Sequence, residues 1–254
     1  MTPAVGRVEV DWSRPWLAPW RARGEALDRR ARELGLLAAL NESLSDHAWL
    51  RQFVDHAELP SGEAYEAFIA RTRRVPTRDN VHDLLNGLMW LACPALKQRL
   101  NELQAEQLAG ATTGSVRGPV RDALTLFDEN AALLHAPAVL VDALRARDWH
   151  TLFMAQRAAW ADAELTLFGH ALIEKLARPR KAITAHVWLL DQPLGDGAAL
   201  AATLSAQRLA AKPFLPLPVL GVPGWWAANQ DVSFYDDPAV FRSAKRNSGP
   251  QAAV

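Results

Sequence analysis

One predicted helix, between Pro76 and Pro94, carries polar residues of kinds that often do chemistry. At 100° per residue, aliphatic side chains fill one side of this helix, and His82, Asp83 and Asn86 lie on the other. A merely solvated helix face usually carries Lys, Glu, Arg or Gln, because these residues form helices more readily than His, Asp or Asn. The stripe therefore predicts either one wall of a polar pocket or a set of hydrogen bonds to an adjoining loop.

A second group of candidate residues lies further along the chain. His170 and Glu174 are four residues apart on a short predicted helix, so they share one face. A histidine and a carboxylate in this arrangement can hold a divalent metal ion, or they can pair with each other as a structural ion pair. Asp128 and Glu129 occupy the turn of a predicted β-hairpin, where they become candidate catalytic groups if that turn meets His82 or His170.

Two further sets of residues are candidates for binding a substrate. Arg117 and Arg121 are spaced so that they can grip a carboxylate or phosphate, although Arg121 can equally pair with Asp122. Trp225 and Asn229 lie in an apolar passage rich in Pro and Gly, where they would give a lid an aromatic surface and one amide. Such a passage more often closes a hydrophobic core. A small anionic ligand is the substrate class that these residues predict.

Composition excludes several classes of protein. The 254 residues contain 28 basic and 28 acidic side chains, so no long-range field favours nucleic acid or an anionic membrane. The single cysteine, Cys93, rules out an internal disulfide framework and a multi-cysteine zinc site. The chain has no apolar signal segment and no run of the roughly 18 apolar residues that span a bilayer, which predicts a cytoplasmic protein without a membrane partner.

The pattern of elements predicts an α+β fold: a mostly helical single domain with a small antiparallel sheet and a long C-terminal covering loop. Residues 1–20, rich in Trp and Pro, are predicted to form an arm, residues 21–244 a globular domain, and residues 245–254 a flexible tail. Helices are predicted at about 23–44, 63–73, 77–93 (capped by Thr77 or Asp79), 95–109, 137–147, 148–160, 169–176 and 197–211, and strands at 123–127, 131–135, 164–168 and 183–190.

Five segments carry a resemblance to known proteins: RVPTRDNVHDLLNGLMWL, PALKQRLNELQA, RGPVRDALTLFDEN, FGHALIEKL and VLGVPGWWAANQDVSFYDDPAVFR. They span about residues 45–245 in matching order and resemble one bacterial family, catalogued as domain of unknown function 3025. Cys93 stands where the family more usually has Phe. The resemblance implies no particular reaction, substrate or cofactor.

Two hypotheses of function follow. In the first, the chain is a hydrolase whose pocket, with or without a divalent metal ion, is walled by the His82 helix, the Asp128 turn and the His170 helix. A variant of it notes that His56, His82 with Asp83, and Asp128 follow the residue order of the HD phosphohydrolases, an all-helical fold that the predicted hairpin contradicts. In the second, the chain is a non-catalytic interaction protein whose polar residues only fasten loops. The oligomeric state does not follow from the sequence.

The hydrolase hypothesis carries an expectation about stability. Residues that serve catalysis are often poorly optimised for stability, so His82→Ala and Asn86→Ala are each expected to change the free energy of unfolding by less than about 1 kcal/mol. If these residues instead fasten a buried loop, each change would cost ~1–3 kcal/mol because it leaves a hydrogen-bond partner unsatisfied.

Overall fold

The computed structural model describes residues 9–44, 48–110 and 118–243, which form ten α-helices and six β-strands. In chain order these elements are α1 Arg21–Leu34, α2 Leu36–Glu42, β1 Gln52–Asp55, α3 Tyr65–Thr72, β2 Arg74–Thr77, α4 Val81–Ala92, α5 Pro94–Ala109, α6 Pro119–Asn130, β3 Ala131–His135, α7 Ala138–Ala146, β4 Glu164–Leu167, α8 His170–Leu176, β5 Thr184–Leu189, α9 Ala198–Thr203, α10 Ala206–Ala210 and β6 Leu215–Pro218. The predicted α+β class, a mostly helical single domain with small sheets, is confirmed.

The strands form two sheets. β1 and β2 pair in parallel, and the other sheet has the order β4, β3, β5, β6. Its two outer pairings are antiparallel, as predicted, whereas the central pairing of β3 with β5 is parallel. Residues 131–134 of β3 are all buried, as is typical of a strand covered on both faces. The parallel pairing follows because α7, β4 and α8 all lie between the two strands in the chain.

The predicted hairpin at 123–135 is wrong in its first half. Residues 123–127 belong to α6, which runs on to Asn130 before β3 begins at Ala131. The buried side chains of α6 are Ala123, Leu124 and Phe127, a spacing that fits one face of a helix better than alternate faces of a strand. Asp128 and Glu129 therefore lie in the last turn of a helix, one residue before a buried strand.

Smaller departures have local causes. Gly35, with φ of 85°, separates α1 from α2 and so divides the helix predicted over 23–44. α4 is capped by Asn80, whose side chain accepts the backbone N–H of Asp83 at 2.7 Å, and not by Thr77 or Asp79. The helix predicted at 148–160 is replaced by a π turn at 151–155 and a 3₁₀ turn at 157–162. The helix predicted at 197–211 is divided into α9 and α10.

The two ends of the described chain pack onto the body. Trp12, Trp16 and Trp20 are buried, and the Trp20 indole donates a hydrogen bond to the Leu167 carbonyl at 2.7 Å. Near the other end, Asn229 is fully buried and donates to backbone carbonyls of the same passage. The predicted tail at 245–254 lies outside the described residues. No helix in the described part of the chain combines the length and apolar character needed to cross a membrane.

Candidate metal centre

Three helix ends meet at the candidate site: the start of α4, the end of α6 and the start of α8. The backbone N–H groups of Phe168 and Gly169 both donate to the Ala131 carbonyl, at 3.0 and 2.9 Å. The chain segment just before α8 is therefore tied to the first residue after α6. α8 also packs against α4, so the side chains at these three helix ends face one another.

Gly169 is required for this close approach. A Cβ atom at this position would lie 2.5 Å from the Glu129 carbonyl oxygen and 2.5 Å from the Asn130 backbone nitrogen, distances that real Cβ atoms essentially never show. Both neighbours are backbone atoms of α6, so they cannot rotate away as a side chain could. Only a residue without a side chain lets α8 begin this close to the end of α6.

Gly169→Ala is expected to destabilise the fold by ~1–3 kcal/mol, because α8 must move away from α6. Chemical denaturation followed by circular dichroism measures the change. Gly110→Ala is the matched control, since a Cβ there would come no closer than 3.7 Å to any atom of the described residues beyond its neighbours in the chain. Equal stability of the two variants would show that the contact between α6 and α8 is not tightly packed.

Three potential metal ligands converge at this junction. The Nε2 atom of His170 lies 3.1 Å from Nε2 of His82 and 3.5 Å from Oε2 of Glu129. One ligand atom from each of the three residues lies within 4.8 Å of the others. Ligand atoms ~2.1 Å from a tetrahedral metal ion are separated by ~3.4 Å. The two distances from His170 Nε2 are close to this value, and the three ligand atoms together lie within reach of one ion.

A carboxylate lies beside the other ring nitrogen of each histidine. Glu174 Oε2 is 2.8 Å from His82 Nδ1, and Asp128 Oδ2 is 3.9 Å from the buried Nδ1 atom of His170. Metal-bound histidines usually donate their second N–H to such a group, which fixes the tautomer. With the proton on Nδ1, the Nε2 atom of each ring is left free to bind a metal ion.

The charge state of the cluster also suits a cation. Burial lowers the pKa of His170 to about 3, against the opposing effect of Asp128, so the ring is neutral near pH 7. Burial and the neighbouring Asp128 raise the pKa of Glu129, with His82 and Lys97 opposing. A neutral imidazole is the form that binds a metal ion, and a bound cation would stabilise the ionised form of Glu129.

A buried lysine supports the cluster from behind. Lys97, whose side chain is 4% exposed, donates to Asp128 Oδ1 at 2.5 Å and to Asn86 Oδ1 at 2.8 Å. The Asn86 amide in turn donates to the Tyr65 hydroxyl at 3.1 Å. Burial alone would raise the pKa of Asp128, but the positive charge of Lys97 and its hydrogen bond act in the opposite direction, and the pKa is lowered. Asp128 is therefore held ionised between Lys97 and His170.

This network changes what is expected of Asn86. Because the Asn86 carbonyl oxygen is a hydrogen-bond acceptor for a buried ammonium group, its removal leaves that charge with one fewer partner. The structure thus favours a loss of ~1–3 kcal/mol for Asn86→Ala, above the change expected from the sequence alone. Sequence reasoning missed Lys97, although a lysine beside Leu96 and near Leu100 on the apolar side of a helix indicates a buried partner.

Asp83 has a different role from the other residues of the polar stripe. Its Oδ2 atom accepts hydrogen bonds from the Arg78 backbone N–H at 2.5 Å and from the Arg78 guanidinium at 3.3 Å, so it fastens the turn before α4. His56 lies in a 3₁₀ turn after β1 and is not one of the three converging ligands. His56, His82, Asp83 and Asp128 follow the residue order of the HD phosphohydrolases, but they do not form one ligand set among the described residues. The predicted hairpin, which contradicted an all-helical fold, is also absent, because residues 123–130 belong to α6.

The remaining candidate residues lie elsewhere. Arg121 precedes Asp128 by two turns of α6, roughly 10 Å along the helix axis. Trp225 packs against Trp16, with ring centroids 6.4 Å apart. Asn229, in the C-terminal passage, accepts a hydrogen bond at 3.1 Å from Arg157, in the 3₁₀ turn at 157–162. Arg117 lies outside the described residues. The structure thus brings together His82, Asp128, Glu129, His170 and Glu174 from the candidates named by the sequence.

Cys93 is positioned as a core residue and not as a nucleophile. It is fully buried at the junction of α4 and α5, and burial raises the pKa of its thiol to about 12. Only the thiolate reacts readily with alkylating agents. We therefore expect no labelling of the native protein by iodoacetamide at pH 8, and complete labelling after denaturation, as measured by intact mass. Rapid native labelling would show that this junction opens.

Residues 51–245 match a family model described as "Protein of unknown function (DUF3025)". The match covers most of the range over which the sequence motifs resemble that family. No curated protein matches the chain, and no solved structure does.

Proposed function

We propose that this chain, which belongs to the DUF3025 family, binds one divalent metal ion through His82, Glu129 and His170 and acts as a hydrolase. The observation that carries the proposal is the convergence of two Nε2 atoms and one carboxylate, with a further carboxylate beside the other nitrogen of each ring. Two histidines and one glutamate are the ligand set of one class of catalytic zinc sites, in which water or substrate takes the fourth position.

The solvent exposure of two of the three ligands favours a catalytic metal ion over a purely structural one. The side chains of His82 and Glu129 are 34% and 31% exposed, whereas His170 is almost completely buried. An ion held by these three residues would therefore be covered on the His170 side and open on the other. Structural metal sites usually close all positions with protein ligands, so an open side favours binding of water and substrate.

Each group of the chain has a defined task in this proposal. A bound divalent ion would lower the pKa of a water molecule and polarise the bond to be broken. Glu174 holds the proton of His82 on Nδ1 and so keeps Nε2 free as a ligand. Asp128, held ionised by Lys97, lies 3.9 Å from His170 Nδ1, and its negative charge favours a proton on that nitrogen. Hydrolysis then adds water across one ester bond of the substrate and releases an acid and an alcohol.

The position of Lys175 favours a substrate that carries a negative charge. It follows Glu174 on α8, is exposed, and its ammonium group donates to the Asn130 side chain at 2.7 Å. Asn130 directly follows Glu129, and the charge of Lys175 acts to lower the Glu129 pKa. A phosphate or carboxylate group bound at the metal ion would therefore have a fixed cation beside it.

The test is hydrolysis of chromogenic esters by protein reconstituted with Mn²⁺, Zn²⁺, Co²⁺ or Fe²⁺. We expect release of p-nitrophenol from a phosphate monoester, a phosphate diester or a carboxylic ester with at least one of these ions, and its loss in Glu129→Gln. Lys175→Ala is expected to raise KM about tenfold for the phosphate esters with little change in kcat, whereas Lys212→Ala, an exposed lysine elsewhere, changes neither.

Two results would contradict the proposal. Activity that survives Glu129→Gln, or that needs no divalent ion, would belong to a contaminant or to another site. Stoichiometric metal binding without turnover of any ester class would limit the site to metal binding and reject the hydrolase.

A further inference from the structure

A groove separate from the metal centre lies along one edge of the four-stranded sheet. Its volume is about 530 Å³, within the range of sites that bind small molecules or short peptide segments. The floor is the first part of β4, from Glu164 to Thr166, and its walls include Trp20, Trp160 and Trp225. None of the metal-centre residues contributes to this groove, so its ligand is independent of the proposed hydrolase.

The floor of the groove is an edge strand. In the described part of the chain, β4 pairs on one side with β3 and with no strand on the other. The backbone groups of alternate residues on an edge strand point away from the sheet and remain available for pairing with a further strand.

Two hydrogen bonds show which residues of β4 face outwards. Phe168 donates its N–H to the Ala131 carbonyl and therefore faces β3. The Leu167 carbonyl instead accepts the Trp20 indole N–H, so Leu167 faces the edge. Because the direction alternates along a strand, Leu165 also directs its N–H and its carbonyl outwards, into the groove that it lines.

The side chains around Leu165 define the chemistry of an occupant. Tryptophans on the walls offer flat apolar surfaces, and Trp225 and Trp160 are each partly exposed. Glu164 is exposed and is the one ionisable residue among the described residues that line the groove. An occupant with a complementary charge would place a basic group beside Glu164.

We infer that this groove binds an extended peptide segment of a partner protein by adding a strand to the edge of β4. The peptide backbone pairs with the N–H and carbonyl of Leu165, an apolar side chain packs on the tryptophans, and a basic side chain lies beside Glu164. Outward backbone groups favour a peptide over a compact small molecule, because a peptide supplies a donor and an acceptor at the spacing that a strand requires.

The experiment selects peptides from a random phage-displayed library on the immobilised full chain. Enriched sequences are then synthesised and titrated calorimetrically. We expect a shared pattern of one aromatic or aliphatic residue and one basic residue, and slower hydrogen exchange at Leu165 when peptide is bound. Glu164→Lys is expected to weaken binding at least ~10-fold, while Glu25→Lys, an exposed charge reversal on α1, leaves it unchanged.

Backbone pairing is tested on the ligand, which leaves the protein unaltered. Methylating the one peptide nitrogen that pairs with the Leu165 carbonyl is expected to weaken binding at least ~10-fold, whereas methylating the next nitrogen, which points away, has little effect. Uniform effects of methylation, enrichment of no peptide, or equal binding by Glu164→Lys would overturn the inference. Binding of fused-ring aromatic compounds in the absence of any peptide binder would assign the groove to a small molecule and overturn it as well. The metal content of the protein is measured in parallel. A protein without bound metal would contradict the proposed metal centre and would leave the inference about the groove unaffected.

Discussion

Replacing His170 by alanine is expected to lower the affinity for Zn²⁺ or Co²⁺ by more than ~100-fold, because removal of a ligand should exceed the 10–100-fold loss typical of outer-shell partners. His170 is the residue whose Nε2 atom lies close to both other ligands. Without His170, only His82 and Glu129 remain as ligands. Both are partly exposed, and such pairs are common on protein surfaces. Isothermal titration with competing chelators measures the affinity over this range.

The control variants separate ligand loss from general damage. His150→Ala removes an exposed histidine that is not one of the three converging ligands, and it is expected to leave the affinity unchanged. Glu174→Gln keeps the shape of the side chain that orients His82 and is expected to cost ~10–100-fold. Circular dichroism checks that each variant is folded. Equal affinities in folded His170→Ala and His150→Ala would remove His170 from the site.

Lys97→Met is expected to destabilise the protein by ~3–5 kcal/mol, since it removes one partner of a buried ion pair and leaves the other charged. The ammonium group of Lys97 contacts Asp128, Asn86 and the face of the Trp90 ring. Methionine fills a similar volume but offers none of the hydrogen-bond donors. Chemical denaturation of the metal-free protein measures the loss without any contribution from a bound ion.

A double variant shows how much of this loss comes from the ion pair. In Lys97→Met with Asp128→Asn, the unpaired charge is absent, and we expect the double variant to be more stable than the sum of the single changes by ~1–3 kcal/mol. Lys175→Met, a change at an exposed lysine, is expected to stay within ±0.5 kcal/mol of the wild type. Strict additivity of the two changes would show that Lys97 and Asp128 do not interact.

Periodicity predicts α4 and its apolar face, because a helix of twelve residues repeats its pattern three times, but it does not predict that Asp83 and Asn86 on the polar face are buried as well. The same rule fails at residues 123–127, where the apolar run is too short to show its period and the pattern predicts a strand in place of the helix α6. The predicted α+β class did not depend on this segment. β3 and β5 pair in parallel because α7, β4 and α8 all lie between them in the chain. Local sequence patterns do not predict which strands will pair across such a long connection.

The candidate residues were visible in the sequence, but their grouping was not. His170 and Glu174 share a helix face as predicted, yet Glu174 contacts His82, which is 92 positions away in the chain. The third ligand, Glu129, is near His170 because both flank the junction of β3 and β4, a contact set by sheet register and by Gly169. Spacing along the chain carries no information about such a junction. The groove beside β4 is equally invisible in the sequence, because it depends on β4 being the edge strand of its sheet.

The most direct test of the metal centre is a crystal structure of the protein grown with Co²⁺ or Zn²⁺, with diffraction recorded on both sides of the absorption edge of the metal. We predict one anomalous peak ~2.0–2.2 Å from His82 Nε2, from His170 Nε2 and from a carboxylate oxygen of Glu129. A map with no peak at the junction of α4, α6 and α8, or with a fully occupied peak on other residues alone, would contradict the assignment of these three residues as metal ligands.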